Sequence, residues 1–252
     1  MPTRRIVILM IPAIVLIIAA IYFFETDETV ELQIPQNLGE KKGTVTDIDE
    51  NTYETVKIGD QWWISENLKV SRYRNGDSIP HVTDIAEWAE LTEGAWSYYE
   101  NDTTYHDIYG KLYNWYAAVD PRGLCPEGWH VPSEDEWHAL ETFLGGRSTS
   151  QGLMKSIRTD PDPHPRWRKP NEEATNESGF SGLPGGYRRA DGNFRQPWDG
   201  RVITEFVGSW WSSTEYDNMF AYFRDLGWVI TEPDRDFHSE KPGGKSIRCM
   251  KY

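Results

Sequence analysis

The residues best equipped for chemistry in this 252-residue chain fall in one stretch, Trp210-Trp211-Ser212-Ser213-Thr214-Glu215-Tyr216-Asp217-Asn218. It sets flat rings beside carboxylates and an amide. A pyranose offers an apolar face to such a ring and hydroxyls to such a polar rim, so the pattern suits sugar recognition better than bond cleavage. Arg188, Arg189, Asp191, Trp198 and Asp199 add cations, acids and a further ring on the preceding loops. The candidate ligand-binding set is therefore Trp210, Trp211, Glu215, Asp217 and Asn218, with Arg188 and Asp191 nearby. The competing reading makes Trp210 or Trp211 core and the polar residues turn formers. Alternation along a strand sends the two rings to opposite faces, so at most one should be core on one side.

Other chemistries find weaker patterns. Six histidines, His81, His106, His130, His138, His164 and His238, form neither H-x-x-x-H nor H-E-x-x-H. Asp47, Asp49 and Asn51 open with calcium-loop spacing, but Thr52 stands where that loop needs Gly and Ile58 where it needs Glu. They read as turn residues. Glycoside hydrolysis needs two carboxyls roughly 5–9.5 Å apart. Pairs such as Glu215 with Asp217, or Glu172 with Glu173, are available, but sequence spacing does not report that separation, and among 40 acidic residues some pair always looks suggestive. No G-x-S-x-G elbow is present, and Gly182-Leu183-Pro184-Gly185-Gly186 lacks the Lys-Ser/Thr ending of a phosphate loop. No catalytic residue, metal ligand or cofactor is assigned, and calcium is left open.

These side chains need elements to hold them. Residues 44–48 and 52–58 read as strands around the turn Asp49-Glu50-Asn51, and Gly59-Asp60 leads into a third strand at 61–64. Leu112, Trp115, Tyr116 and Val119 recur at helical spacing and predict a first amphipathic helix, ended by Asp120-Pro121-Arg122-Gly123. Ser133 with Glu136 predicts a capping box for a second helix. Pro132 stiffens its start, and Glu134 and Asp135 put negative charge at its positive end. Trp137, Leu140 and Leu144 supply its apolar face and Gly145-Gly146 its stop. Residues 152–157 allow a further helical turn, and four prolines make 160–170 irregular. Short strands are expected at 210–214, 221–226 and 246–251, which makes the class α+β.

The N-terminus is a different material. Residues 6–24 are an unbroken apolar run of 19, preceded by Arg4 and Arg5 and followed by Glu25, Asp27 and Glu28. That is long enough to span a membrane, and the positive-inside rule puts residues 1–5 in the cytoplasm. The expected organisation is a cytoplasmic N-terminus at 1–5, a transmembrane signal anchor at 6–24, a linker at 25–43 and one extracytoplasmic domain at 44–252. Cleavage is the rival reading, but Ile17 and Ile18 occupy the minus-three positions where a cleavage site after Ala19 or Ala20 needs small residues. Past the anchor the chain carries 24 Lys and Arg against 40 Asp and Glu, a formal charge of −16. Such a surface repels nucleic acid. Twelve Trp and 13 Tyr argue for a packed domain, not a stalk. In an extracytoplasmic setting the two cysteines, Cys125 and Cys249, read as one disulfide, the alternative being two buried thiols.

Six ordered motifs resemble the Fibrobacter succinogenes major paralogous domain, an extracytoplasmic domain of Fibrobacter- and Bacteroidetes-type bacteria. They are Trp62-Trp63-Ile64-Ser65-Glu66-Asn67-Leu68, Tyr109-Gly110-Lys111-Leu112-Tyr113-Asn114-Trp115, the stretch from Gly128 to Trp137, Gly179-Phe180-Ser181-Gly182-Leu183-Pro184-Gly185-Gly186, Trp210-Trp211-Ser212-Ser213-Thr214-Glu215, and Ile247-Arg248-Cys249. The resemblance spans about residues 45–252 and implies an address more readily than a reaction. The second helix and the C-terminal motif also resemble the formylglycine-generating-enzyme and C-type-lectin-like fold group. That implies a single domain with two helices, short antiparallel strands and long loops, its two ends meeting in one sheet. The oxidases of that group use a redox Cys pair near the C-terminal part of the domain. Here Cys249 stands alone there and Cys125 precedes the second helix, a departure that argues against oxidase activity. The expected function is a membrane-anchored extracytoplasmic binding or adhesion module for carbohydrate or cell-wall glycan, without catalysis. A formylglycine-generating-type oxidase and a glycoside hydrolase are the alternatives.

Overall fold

The computed structural model describes residues 38–39, 42–103, 106–159, 161–194, 206–227 and 238–252. The apolar segment 6–24, most of the linker, Trp198 and Asp199 lie outside the described residues. Among the described residues no helix is long and apolar enough to cross a membrane.

In chain order the elements are β1 (Lys42–Thr46), β2 (Thr52–Ile58), β3 (Gln61–Ile64), α1 (Ile85–Ala89), β4 (Trp96–Ser97), a 3-10 turn (Tyr99–Asn101), α2 (His106–Tyr109), β5 (Leu112–Tyr113), α3 (Trp115–Ala118), β6 (Trp129–His130), α4 (Glu134–Phe143), α5 (Arg147–Met154), β7 (Val207–Glu215), β8 (Phe220–Gly227), β9 (His238–Glu240) and β10 (Met250–Lys251). The class is α+β. One sheet runs β1-β2-β3-β10-β6, a second pairs β4 with β5, and a third runs β7-β8-β9. Every pairing between these strands is antiparallel.

The opening hairpin forms because Asp47 organises its turn. Its carboxylate accepts from the Asp49 and Asn51 amides at 2.9 and 3.0 Å and from the Tyr53 hydroxyl at 2.6 Å. Val45 then faces Tyr53 across the ladder. The polar triplet with calcium-loop spacing is thus a turn, as expected. At the other end of the domain, Met250 of β10 pairs with Trp63 on one side and His130 on the other, so first and last strands share a sheet.

The capping box at α4 is complete. The Ser133 hydroxyl accepts from the Glu136 amide, and the Glu136 carboxylate accepts from the Ser133 amide at 2.7 Å. Trp137 and Leu140 are buried, and Trp137 meets Trp63 at 4.7 Å between ring centres. The helix expected over residues 112–119 is corrected. Leu112 and Tyr113 are strand, paired with Ser97 and Trp96, and only the single turn α3 is helical. Asn114 divides them: its side chain caps α3 by accepting from the Ala117 amide, and also accepts from the Ala95 amide of the neighbouring segment. The apolar spacing was right, but tertiary pairing took its first turn.

β7 runs between two cores. Trp211 joins Tyr113, Trp115, Phe223, Cys125 and Cys249 on one side. Trp210 joins Val56, Trp63, Trp137 and Phe180 on the other. Cys125 and Cys249 form a disulfide across 124 residues of sequence, tying the segment before β6 to the chain entering β10.

A buried polar knot pins these pieces together. Asn67 Oδ1 accepts from Trp210 Nε1 at 2.8 Å and Arg248 Nε at 2.9 Å. Its Nδ2 donates to the Tyr109 carbonyl at 2.8 Å and to Ser246 Oγ at 3.2 Å. Arg248, wholly buried, also donates to the carbonyls of Ile64, Phe180 and Ser181. Burial pulls the guanidinium's pKa down, yet it stays charged at neutral pH, its charge spread over oxygen dipoles and over the Phe180 ring 4.6 Å away. Gly110, at φ +76°, lets the Tyr109 carbonyl come this close; a Cβ there would stand 2.9 Å from Leu68 O.

Candidate functional site

Trp210 and Trp211 are both 0% exposed, so neither can stack on a ligand from solvent. Trp211 Nε1 donates to the Tyr113 carbonyl at 2.9 Å, as Trp210 Nε1 does to Asn67. The expectation that at most one would be core on one side holds for each face of the strand. What sequence could not show is that both faces are covered. Arg188 is likewise no rim residue. It is fully buried and donates to the carbonyls of Val82, Thr83, Asp84 and Gly192, with its guanidinium 4.2 Å over the Trp88 ring. Its work is to clamp the chain entering α1.

The rest of the expected set is at the surface. Glu215, Asp217 and Asn218 stand together at the exposed end of the β7–β8 hairpin. The Asp217 carboxylate shapes the turn by accepting from the Met219 and Phe220 amides, both at 2.8 Å. Lys241, buried beneath, donates to the Glu215 carboxylate and to the Asn218 carbonyl at 3.0 Å. Asp191 lines a cleft of about 420 Å³ together with Arg188, Arg189, Ser239 and Glu240.

The exposed ring at this hairpin is Tyr216, 46% exposed, not a tryptophan. Register explains its surroundings. Tyr222 of β8 sits opposite His238 of β9. The His238 ring stacks on Tyr216 at 4.2 Å and 5°, while Tyr222 meets Tyr216 edge-on at 5.3 Å and Phe220 meets His238 edge-on at 5.3 Å. The result is a shallow aromatic face on the three-stranded sheet, beside the exposed turn that carries Asp217 and Asn218, while Glu215 pairs across the ladder with buried Ala221 and turns to the other side, toward Lys241. Tyr216 was visible in the sequence as a member of the stretch. His238 was not, since it comes from a strand 16 residues after Tyr222 and only β8–β9 pairing brings it there. Among the described residues no group of three or more His, Cys, Asp or Glu is placed to hold a metal ion.

A family profile, that of the Fibrobacter succinogenes major domain, matches residues 56–251. The chain belongs to this family. No curated protein and no solved structure matches it. The motifs that carry the Fibrobacter succinogenes major domain resemblance meet in the buried knot, not at the aromatic face. Asn67, Tyr109, Phe180, Ser181, Trp210 and Arg248 come from five of the six motifs and bond to one another. The sixth motif adds Trp137, packed against Trp63 and Phe180. The family signature in this chain therefore describes how the core is closed.

Proposed function

We propose that this chain is a membrane-anchored extracytoplasmic binding module that engages carbohydrate or cell-wall glycan, without catalysis, through the aromatic face of the β7–β8–β9 sheet. The observation that carries the reading is the exposed Tyr216 ring, held by His238 and Tyr222 beside the exposed turn residues Asp217 and Asn218. Such a surface can stack a pyranose face and hydrogen-bond its hydroxyls without a deep pocket. The anchor at 6–24 and the positive-inside reading supply the address. A C-type-lectin-like arrangement belongs to the same reading, supported by the meeting of β3 and β10 in one sheet and by the capped helix α4 after β6. The oxidase alternative loses support, because Cys125 and Cys249 are buried and bonded to each other.

The test compares Tyr216→Ala with the wild-type chain on a glycan array that includes cell-wall fragments, with thermal unfolding measured beside it. Loss of a stacking ring should weaken binding about tenfold, roughly 1.4 kcal/mol, while the fold stays intact. A wild-type chain that binds nothing on the array, or a Tyr216→Ala chain that binds unchanged, ends the reading.

A further inference from the structure

A second concavity, sharing no residue with the hairpin face, has the opposite electrostatic character to the chain around it. It is a cleft of about 640 Å³ whose wall includes Lys69, Arg72, Lys111, Ser71 and Tyr98, with Asp49 the acid among its lining residues. The chain as a whole has a formal charge of −14, so three cations converging on one hollow is a local reversal.

Two of the cations are already matched. Lys69 pairs with Glu66 at 3.1 Å. Arg72 Nε meets Asp49 Oδ1 at 2.6 Å and its Nη2 donates to the Ile48 carbonyl at 2.9 Å, which leaves Nη1 for a ligand, and the other Asp49 oxygen accepts from the Ser71 amide, so both oxygens of the cleft's acid are engaged. Lys111 is different. It is 6% exposed, its ammonium bonds Ser71 Oγ and lies 4.0 Å over the Trp96 ring. Among the described residues no carboxylate lies within 4.0 Å of it. An ammonium has three donors. The hydroxyl takes one and the ring faces the charge, which leaves donor capacity toward the cleft. Burial accordingly pulls the pKa of Lys111 down to about 8, with Asp49 and Asp47 only partly offsetting it. Trp96 is itself held in place, stacked on His81 at 4.0 Å and 2° and met edge-on by Tyr98 at 5.0 Å. Lys111 is therefore a preorganised cation whose support is rigid.

We propose that this cleft binds carboxylated pyranoses, with the carboxylate held by Lys111 and Arg72 and the sugar ring laid against the half-buried Tyr98. A carboxylate supplies the counter-charge that Lys111 lacks and accepts charge-assisted hydrogen bonds from both cations. The tyrosine ring and the Ser78 and Asn51 side chains of the wall suit a ring with hydroxyls. The shared chemistry, one carboxylate on a pyranose, is met by a hexuronate of a polysaccharide and by the lactyl-bearing amino sugar of peptidoglycan.

The full-length chain in detergent micelles would be titrated calorimetrically with D-glucuronate, N-acetylmuramate, their neutral counterparts glucose and N-acetylglucosamine, and sodium acetate. Each variant's melting temperature would be taken alongside. At least one acid should bind about tenfold or more tighter than its neutral counterpart and than acetate, since a buried charge-assisted pair is lost without it. The tighter of the two acids identifies the source. Lys111→Met should lose that advantage with its fold kept. If Lys111→Met does not fold, Arg72→Gln, whose side chain is 45% exposed, carries the test. Acids that do not bind, neutral sugars or acetate binding as tightly, or unchanged affinity in the folded variants would overturn the assignment. Tyr216→Ala should leave this binding untouched, so failure here and failure of the hairpin reading are separate results.

Discussion

Replacing Asn67 with leucine should nearly unfold the domain. The side chain it removes makes four hydrogen bonds, each to a group with no water to turn to: Trp210 Nε1, Arg248 Nε, the Tyr109 carbonyl and Ser246 Oγ. A buried polar group left without its partner costs about 1–3 kcal/mol, and more when it is charged. Ser246 Oγ loses only a long donation at 3.2 Å and its rotatable hydroxyl can still donate elsewhere, so three groups carry most of the loss, and one of them belongs to the buried Arg248. The sum is on the order of 4–8 kcal/mol, against a total stability of roughly 5–15 kcal/mol for a domain. Asn67→Asp separates the contributions. It keeps acceptors for Trp210 and Arg248 and loses only the two donations, so it should cost about 1–3 kcal/mol. Equilibrium urea unfolding, followed by the fluorescence of the buried tryptophans, measures both. A loss below about 1 kcal/mol for Asn67→Leu, or a costlier Asn67→Asp than Asn67→Leu, would refute the idea that this knot closes the core.

Trp210→Ala and Trp211→Ala should each destabilise by about 3–5 kcal/mol, whereas Tyr216→Ala should stay within about 0.5 kcal/mol of wild type; a mild effect at either tryptophan in thermal unfolding would contradict its burial. Removing the disulfide as Cys125→Ser with Cys249→Ser opens a closure across 124 residues, which the chain-entropy description values at about 5 kcal/mol. Calorimetry should then show a melting temperature lower by roughly 10–20 °C, at 2–4 °C per kcal/mol for a domain of this size, and an unchanged one would show that the bridge does not support the fold. Lys245 is buried among Tyr187, Trp211 and Phe223, its ammonium 3.9 Å from the Phe223 ring centre, and burial pulls its pKa from 10.5 down to about 8. Between those values the unfolded chain holds the proton and the folded one sheds it, so stability rises with pH by about 2–3 kcal/mol from pH 7 to 10 on this account. Urea unfolding across that range should show this rise in wild type beyond whatever remains in Lys245→Met; parallel profiles would rule it out.

Local order was legible in the sequence because local rules determine it. The capping box at Ser133, the stop at Gly145-Gly146 and the opening hairpin depend on residues within a few positions of one another, and all appear, with the hairpin's first strand at Lys42–Thr46 and its turn beginning at Asp47, two residues earlier than read. The cysteine pair needed only a compartment argument and a count of two. Sequence also determined that Trp210 and Trp211 point to opposite faces, since alternation is a property of the strand. Tertiary structure decided the rest. Leu112 has helical spacing to Trp115 but lies in a strand, because Ser97, fifteen residues earlier, pairs with it. Both tryptophans became core because β7 is covered on each face, and no local pattern reports what packs on the far side of a strand. Arg188 looks like a surface cation until three carbonyls of the distant segment 82–84 and one of its own loop, Gly192, are seen to take its donors. Tyr216 acquires His238, and Lys111 acquires Ser71 and Trp96, only through pairings between distant strands and loops. A single residue's exposure and partners are set by the whole chain's packing, and so the exposed ring of this stretch is the neighbouring Tyr216 and neither tryptophan.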